Sequence, residues 1–246
     1  MCTLVVAWQV LEETPIAVAA NRDEALDRPA KPPTLIEQDP GIVAPLDVEA
    51  GGTWLGYNEH GLLVGLSNRW SEIDREGTRS RGRLVRDLLG SDSAAAAGHH
   101  LGEAVRSETY EPFNLLVADP DEALVFEWDD GLRPAELEPG VHAILNAGWD
   151  DRFVEVPGRQ ELSAEQLANA GQLRTELAVG PGETAEDWLD RAAAVLADHK
   201  YGVCIHRDGF GTRSCSLIAL RPEGALYRYA DGPPCETAVA QVEAQV

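Results

Sequence analysis

Runs of apolar residues near both ends of the chain predict β-strands. Residues 5–10 and 16–20 form two such runs, joined by a turn around residues 13–15. Shorter runs at 113–119, 122–128 and 141–146 predict strands in the middle, and runs at 201–207, 214–220 and 225–230 predict the last ones. Residues 51–68 alternate apolar runs with turn residues, which predicts two strands around a tight turn at 58–61. The proline-rich stretch from 28 to 45 is expected to be irregular.

Helical spacing of apolar residues is confined to the middle of the chain. Residues 80–90 have leucine and valine at helical intervals, with Gly90 as a stop. Residues 91–107 predict a second helix capped by Ser91 or Asp92. A third helix is predicted over 164–170, and a fourth starts at Thr184, with Asp187 in a capping box, and runs to about residue 198. Strands that bracket helices favour an α+β fold, which we expect to be one domain over residues 1–246.

The charge composition is strongly acidic. Asp and Glu number 42 against 20 Lys and Arg, for a net charge of −22, and the only lysines are Lys31 and Lys200. Such a composition predicts a protein adapted to a salty cytoplasm, where salt screens self-repulsion. It argues against nucleic acid as a partner, because nucleic acid binds basic surfaces. We expect no membrane span and no signal peptide, and hence a cytoplasmic protein.

Cys2 follows the initiator methionine directly and opens the first predicted strand. If Met1 is removed, Cys2 carries both a free α-amine and a thiol, which together form a nucleophile and its base. The alternative is a cysteine placed there by chance, since most cysteines are inert small hydrophobes.

The sequence Asn-Arg-Asp-Glu at residues 21–24 follows the second predicted strand. Beside an N-terminal cysteine, Arg22 would favour the thiolate and Asp23 would orient the amine or the arginine. The alternative is a capping and salt-bridge cluster at a strand end.

Three further residues are candidates for acyl-transfer chemistry. Asn68 and Asn146 each end a predicted strand, and their amide N–H groups could stabilise an oxyanion, although Asn is also a common turn residue. Arg213 lies in the glycine-rich turn "GFGTRSCS" and could bind a carboxylate or support the site, or simply be exposed on a hairpin.

The sequence predicts no metal site and no cofactor. The six histidines show no pair at metal-ligand spacing beside a carboxylate, and the spacings of the four cysteines match no zinc motif. We expect free thiols, with Cys204 and Cys215 buried as packing residues.

Several separate motifs, taken in order, resemble one family. "MCTL", "NRDE", "GGTWLG", "NEHGLLVGLSN", "SRGRLVRDLL", "FNLL" and "GTRS" are similar to the NRDE family, that of the transport and Golgi organisation protein 2. The resemblance runs from residue 1 to about 220 and is weaker over 150–198.

The same residues resemble, more distantly, the choloylglycine hydrolase and penicillin acylase branch of the N-terminal nucleophile (Ntn) hydrolases. This resemblance implies a four-layer αββα fold with two mainly antiparallel sheets. It also implies a catalytic set made up of Cys2, Arg22, Asp23, Asn68, Asn146 and Arg213.

These expectations favour an amidohydrolase that cleaves a small non-peptide C–N bond with Cys2. The alternative from another class is a non-catalytic carrier of a small ligand such as haem or a lipid, with Trp54, Trp70 and Trp149 along its cleft. A third possibility is a relic of the fold in which Cys2 is only structural. Each of the first two predicts a small-molecule substrate or ligand, and none predicts an oligomeric state.

Overall fold

The computed structural model describes residues 2–73 and 75–246, which form two compact units. The first unit comprises the chain up to Arg28 together with Pro139–Val242, and the second comprises Pro29–Glu138 with Glu243–Val246. That the whole chain folds as one domain stays a prediction.

Strands and helices alternate in blocks along the described chain. In chain order the strands are β1 (Cys2–Leu11), β2 (Thr14–Ala25), β3 (Ala30–Gln38), β4 (Gly41–Asp47), β5 (Leu55–Asn58), β6 (Leu63–Asn68), β7 (Phe113–Ala118), β8 (Ala123–Trp128), β9 (Leu132–Glu136), β10 (Gly140–Ile144), β11 (Gly148–Trp149), β12 (Arg152–Phe153), β13 (His206–Arg207), β14 (Phe210–Arg221), β15 (Gly224–Ala230) and β16 (Ala240–Gln241). The helices are α1 (Arg81–Leu88), α2 (Ala94–Ser107), α3 (Gln160–Glu176) and α4 (Ala185–Ala197), and a 3₁₀ turn covers His199–Tyr201.

The first unit is one antiparallel sheet with α3 and α4 packed on it. The strand order is β12-β11-β10-β1-β2-β14-β15-β16, with β13 paired to β14. The long strand β2 therefore lies between β1 and β14. Alternate residues of these strands face the helices and share a core with Trp188 and Leu189 of α4. The apolar runs near the two ends of the sequence thus pair within one sheet.

The second unit is a meander of seven antiparallel strands in the order β3 to β9, with α1 and α2 packed on one face. Val64 and Leu115 of the sheet share a core with Leu84 and Leu88 of α1. These leucines lie four residues apart, which places them on one face of the helix, as their spacing predicts. The predicted α+β class with mainly antiparallel sheets is therefore confirmed.

The fourth helix begins as predicted. The Thr184 hydroxyl accepts a hydrogen bond from the backbone N–H of Asp187 at 3.1 Å and donates to the Asp187 carboxylate at 2.7 Å. The second helix starts later than predicted, because Ser93, rather than Ser91 or Asp92, accepts a hydrogen bond from the third residue on, Ala96.

Two predictions of local structure are wrong. The proline-rich stretch over 28–45 forms β3 and most of β4 instead of irregular chain, because its adjacent prolines lie on an edge strand, where the register with β4 shifts between Lys31 and Thr34. The predicted strand over 201–207 is mostly turn and loop. There Gly202 adopts a left-handed conformation (φ 64°), and the Val203 carbonyl accepts from a side chain instead of a neighbouring strand.

No helix in the part of the chain that the structure describes is long and apolar enough to cross a membrane.

Two glycines hold α1 against the loop that precedes β5. The Thr53 N–H donates to the Gly82 carbonyl at 2.9 Å, and a Cβ at position 52 would lie 2.1 Å from the Gly82 carbonyl carbon. The "GGTW" and "SRGR" motifs therefore allow two stretches of backbone to touch, which any side chain would prevent.

We expect Gly52→Ala to lower the free energy of unfolding by about 2 kcal/mol or more, because the added methyl overpacks a backbone contact. The matched control is Gly171→Ala in α3, where a Cβ meets nothing within 4 Å. That change is expected to raise stability by roughly 0.5–1 kcal/mol, since Ala is the better helix former. Urea unfolding of both variants checks this, and equal effects of the two substitutions would contradict it.

Candidate active site

Cys2 lies at the start of β1, where two other segments meet it. Its backbone nitrogen donates to the Asn146 Oδ1 at 3.1 Å, although the two residues are 144 positions apart. Its thiol lies 3.9 Å from the main-chain carbonyl oxygen of Asp23. Asn146 is buried and follows β10, the strand that pairs with β1. The structure thus brings three of the predicted site residues together.

Strand alternation divides the Asn-Arg-Asp-Glu sequence between the two faces of the sheet. Cys2 of β1 is in register with Arg22 of β2, so their side chains lie on the same face. Asn21 and Asp23 point to the opposite face, which Ala17 and Ala19 of the same strand share with the helices. Arg22 is therefore the member of this sequence that shares a face with the Cys2 side chain.

Asn21 is a structural residue of this site that the sequence analysis did not single out. Its side-chain amide donates to the carbonyl oxygens of Leu196 at 3.0 Å and Val203 at 2.9 Å. Both carbonyls belong to the segment around the end of α4. One buried side chain thus ties the end of β2 to the loop that follows this helix.

The Asp23 carboxylate is buried and hydrogen-bonded. It accepts from the Thr212 hydroxyl at 2.6 Å, and that hydroxyl accepts from the Ile205 N–H at 2.8 Å. Burial raises the pKa of Asp23 to about 7, although the hydrogen bond from Thr212 opposes the shift. Asp23 therefore lies near the Cys2 thiol through its main-chain carbonyl, and its carboxylate is linked to the loop before β13 through the Thr212 hydroxyl.

Asn146 lies in a turn held by buried polar contacts. The Ala147 N–H next to it donates to Gln166 of α3 at 2.7 Å. Just after the turn, the Asp150 carboxylate accepts from the Ala143 N–H at 2.9 Å and contacts His142 Nδ1 at 2.7 Å. These residues carried no motif in the sequence, because their partners lie on separate elements.

The two predicted arginines occupy neighbouring strands. Arg22 is buried, and its guanidinium lies 3.8 Å from the Glu24 carboxylate. Arg213 lies in a bulge of β14, where the register with β2 shifts between Thr212 and Ser214, and it donates to the Arg28 carbonyl at 3.4 Å.

Asn68 belongs to the second unit, where it ends β6 in register with Phe113. The next residue, Arg69, is buried; it donates to Asn114 Oδ1 at 2.8 Å and lies 3.3 Å from the Glu127 carboxylate. This polar cluster fixes the strand end that carries Asn68. The catalytic role of Asn68 stays a prediction.

The environment of Cys2 keeps its thiol protonated. The residue is half-buried as a whole, and burial of its sulfur raises the pKa of the thiol. The nearby Asp23 carboxylate raises this pKa further, whereas the Arg22 guanidinium lowers it. A thiol held in this way needs a base to become a nucleophile.

The expectation of no metal site stays a prediction, although the structure brings His199 and His206 together with two cysteines. These two side chains converge with Cys204 and Cys235, and the four potential ligand atoms lie within 4.8 Å of one another. Three of the four fall within residues 199–206, but Cys235 lies 29 positions further on, so the spacing along the sequence matched no known zinc motif. Cys204 and Cys215 are buried, as predicted.

The fold is that of the Ntn hydrolases, as comparison with solved structures shows. Penicillin V acylase from Agrobacterium tumefaciens matches with a TM-score of 0.60 at 13% identity, over 98% of this chain and 86% of that one. The mutant C2A conjugated bile acid hydrolase from Clostridium perfringens matches with a TM-score of 0.60 at 11% identity, over 98% and 92%. An N-acylethanolamine-hydrolyzing acid amidase ortholog from Caenorhabditis elegans gives a TM-score of 0.56 at 13% identity, over 88% and 92%.

The chain belongs to the Transport and Golgi organisation 2 family, whose sequence profile matches residues 1–229. The human Transport and Golgi organization protein 2 homolog is 28% identical over 231 residues, which cover 85% of this chain and 83% of the human protein. The Bos taurus homolog is 26% identical over 232 residues, with the same coverage. The family resemblance identified in the sequence motifs is therefore confirmed.

We expect Asp23→Asn to stabilise the fold increasingly as the pH rises from about 4 to 7. The native carboxyl, with a pKa of about 7, keeps its proton over this range, whereas the unfolded carboxyl, at 3.8, loses it. The natural protein therefore loses stability over this window, on the order of a few kcal/mol, and the carboxamide does not. Urea unfolding at several pH values checks this, and parallel profiles for the two proteins would contradict it.

Proposed function

We propose that the protein is an Ntn-type amidohydrolase that cleaves a small non-peptide C–N bond with Cys2 after removal of Met1. The observation that carries this proposal is the 3.1 Å hydrogen bond from the Cys2 nitrogen to Asn146 Oδ1. In a chain that begins at Cys2, this nitrogen is the α-amine. The same bond then orients the amine beside its own thiol, which supports its use as the base.

The reaction proceeds through an acyl-enzyme. The Cys2 sulfur attacks the carbonyl carbon of the substrate, and the thiol proton passes to the α-amine. The C–N bond breaks as that proton is delivered to the leaving amine, and a thioester remains on Cys2. Water then attacks the thioester with the α-amine as base, releasing the acid and restoring the thiol.

Three residues around Cys2 take separate parts in this proposal. The Oδ1 of Asn146 holds the amine, and the amide N–H of the same side chain is assigned as a donor to the developing oxyanion. Arg22, in register with Cys2, favours the thiolate. Asp23 acts as a positioning residue through the main-chain carbonyl near the thiol.

Arg213 and Asn68 complete the proposed set. Arg213 lies on β14, the strand next to that of Arg22, and is assigned a supporting role there. Asn68 is assigned as a further oxyanion or substrate contact on the strength of the family resemblance.

The substrate class is supported by the names of the structural neighbours. Penicillin V acylase, conjugated bile acid hydrolase and N-acylethanolamine-hydrolyzing amidase are each named for the hydrolysis of a small N-acyl compound. We therefore propose an N-acyl amide of a small molecule as the substrate of this chain.

We expect the chain that begins at Cys2 to release amine from at least one of penicillin V, a conjugated bile acid and an N-acylethanolamine. Cys2→Ala should abolish this release, because the nucleophile is lost. A chain with a non-removable N-terminal extension keeps the thiol but lacks the free amine, and we expect it to lose about 100-fold or more of the rate. Amine release and the intact mass of each form are the measurements.

Cys215→Ala is the control, because Cys215 is a fully buried residue outside the site. It should retain the activity of the natural protein. Undiminished turnover by Cys2→Ala would refute the mechanism, and equal turnover by the extended chain would refute the α-amine as base.

The family name refers to transport, which supports a second candidate function, a non-catalytic carrier of a small ligand. Haem or a lipid as that ligand is what the family resemblance implies. For Trp149, one of the three tryptophans considered for such a cleft, packing is the observed role, because it is buried under the guanidinium of Arg152 at 4.7 Å. A purified protein that carries haem or lipid and hydrolyses none of the three compounds would favour the carrier.

A further inference from the structure

Four potential metal ligands converge at one edge of the first unit. His199 lies in the 3₁₀ turn after α4, Cys204 in the loop that follows, His206 in β13, and Cys235 in the segment after β15. We propose that these side chains bind one zinc ion.

The distances between these atoms are close to those around a tetrahedral zinc ion. The sulfur atoms of Cys204 and Cys235 lie 3.5 Å apart, and His206 Nε2 lies 3.1 Å from one sulfur and 3.6 Å from the other. Zinc–sulfur bonds of about 2.3 Å and zinc–nitrogen bonds of about 2.0 Å place neighbouring ligand atoms about 3.3–3.8 Å apart. The exposed ring of His199 completes the set within 4.8 Å.

The ligand types select zinc over the hard divalent cations. Thiolate and imidazole suit zinc, whereas magnesium and calcium take oxygen ligands, which the acidic surface offers in abundance. Two thiolates balance the charge of the ion, so the filled site is neutral.

A disulfide between Cys204 and Cys235 is the competing arrangement. It requires the sulfur atoms to approach from 3.5 Å to about 2.0 Å, and it leaves unexplained why two imidazoles converge on the same point.

The surroundings of His206 fit its role as a ligand. Its Nε2 faces the two sulfur atoms, and its Nδ1 faces the Glu236 carboxylate at 4.0 Å. A carboxylate on the far side of the ring is the usual second contact of a zinc-bound histidine, because it fixes the orientation of the ring. At 4.0 Å the two groups are close but not hydrogen-bonded, so Glu236 is assigned as the residue that would close on Nδ1 and orient His206 when zinc is bound.

Four protein ligands make this a structural site, because a catalytic zinc keeps one position open. The ion would join the end of α4, the loop before β13 and the segment after β15. Ile205 lies between two of the ligands; its N–H donates to the Thr212 hydroxyl, and its carbonyl accepts from the Thr212 N–H. The same hydroxyl donates to the Asp23 carboxylate. Zinc thereby fixes the loop that supports the Asp23 carboxylate.

The test is metal analysis of the full-length chain, purified under reducing conditions without chelator. We expect one zinc per chain by mass spectrometry of the metal. Cobalt(II) added to the metal-free protein should give the intense d–d bands and the sulfur-to-cobalt charge-transfer band of a tetrahedral thiolate site. Zinc should raise the melting temperature, and EDTA should reverse this rise.

Variants at exposed ligands separate binding from folding. Cys235→Ser and His206→Ala should each weaken zinc binding by more than about 100-fold, and Glu236→Gln by about 10-fold. His99→Ala and Cys215→Ala, which lie outside the cluster, should bind zinc as the natural protein does. The proposal is overturned if both ligand variants keep full affinity. It is also overturned if the reduced protein binds no zinc, or if Cys204 and Cys235 form a disulfide in place of the metal site.

Discussion

The central position of β2, paired with β1 on one side and with β14 on the other, is the constraint on which the first unit depends. Its register places Arg22 opposite Cys2 and, across the other edge, opposite Ser214. Because side chains alternate along a strand, the same register directs Asn21 and Asp23 to the helix face. A shift of one residue would exchange these faces, so the register fixes both the candidate nucleophile and its support.

Buried polar groups at the end of β2 are expensive unless they are bonded, which explains the contacts around them. The Asn21 amide donates to two carbonyls around the end of α4, and the Asp23 carboxylate accepts from Thr212. These contacts and the cluster of two cysteines and two histidines all involve the loop that follows α4. The end of β2 and the loop after α4 therefore form one connected framework, and the candidate nucleophile Cys2 lies on the neighbouring strand β1, on the opposite face of the sheet.

The sequence predicts what depends on neighbouring residues and fails where distant residues meet. The apolar runs of β1 and β2, the spacing of leucines in α1 and the capping box at Thr184 are local patterns, and each led to the correct element. The edge-strand role of the prolines in β3 depends on which strand pairs with them. The strand-end position marked Asn146 as a candidate, but its contact with Cys2 joins residues 144 positions apart, which no local pattern predicts.

The pKa of the Cys2 thiol explains why the proposed mechanism requires a free N-terminus. Burial and the Asp23 carboxylate raise this pKa, so the sulfur is a protonated thiol at neutral pH. Attack on a carbonyl then needs a base that accepts the proton at that pH, and an α-amine, with an ordinary pKa of about 7.7–8.0, is suited to this role. The nitrogen that would become this amine already donates to Asn146. Removal of one methionine would therefore convert a main-chain amide, which has no basicity, into a base that is already oriented.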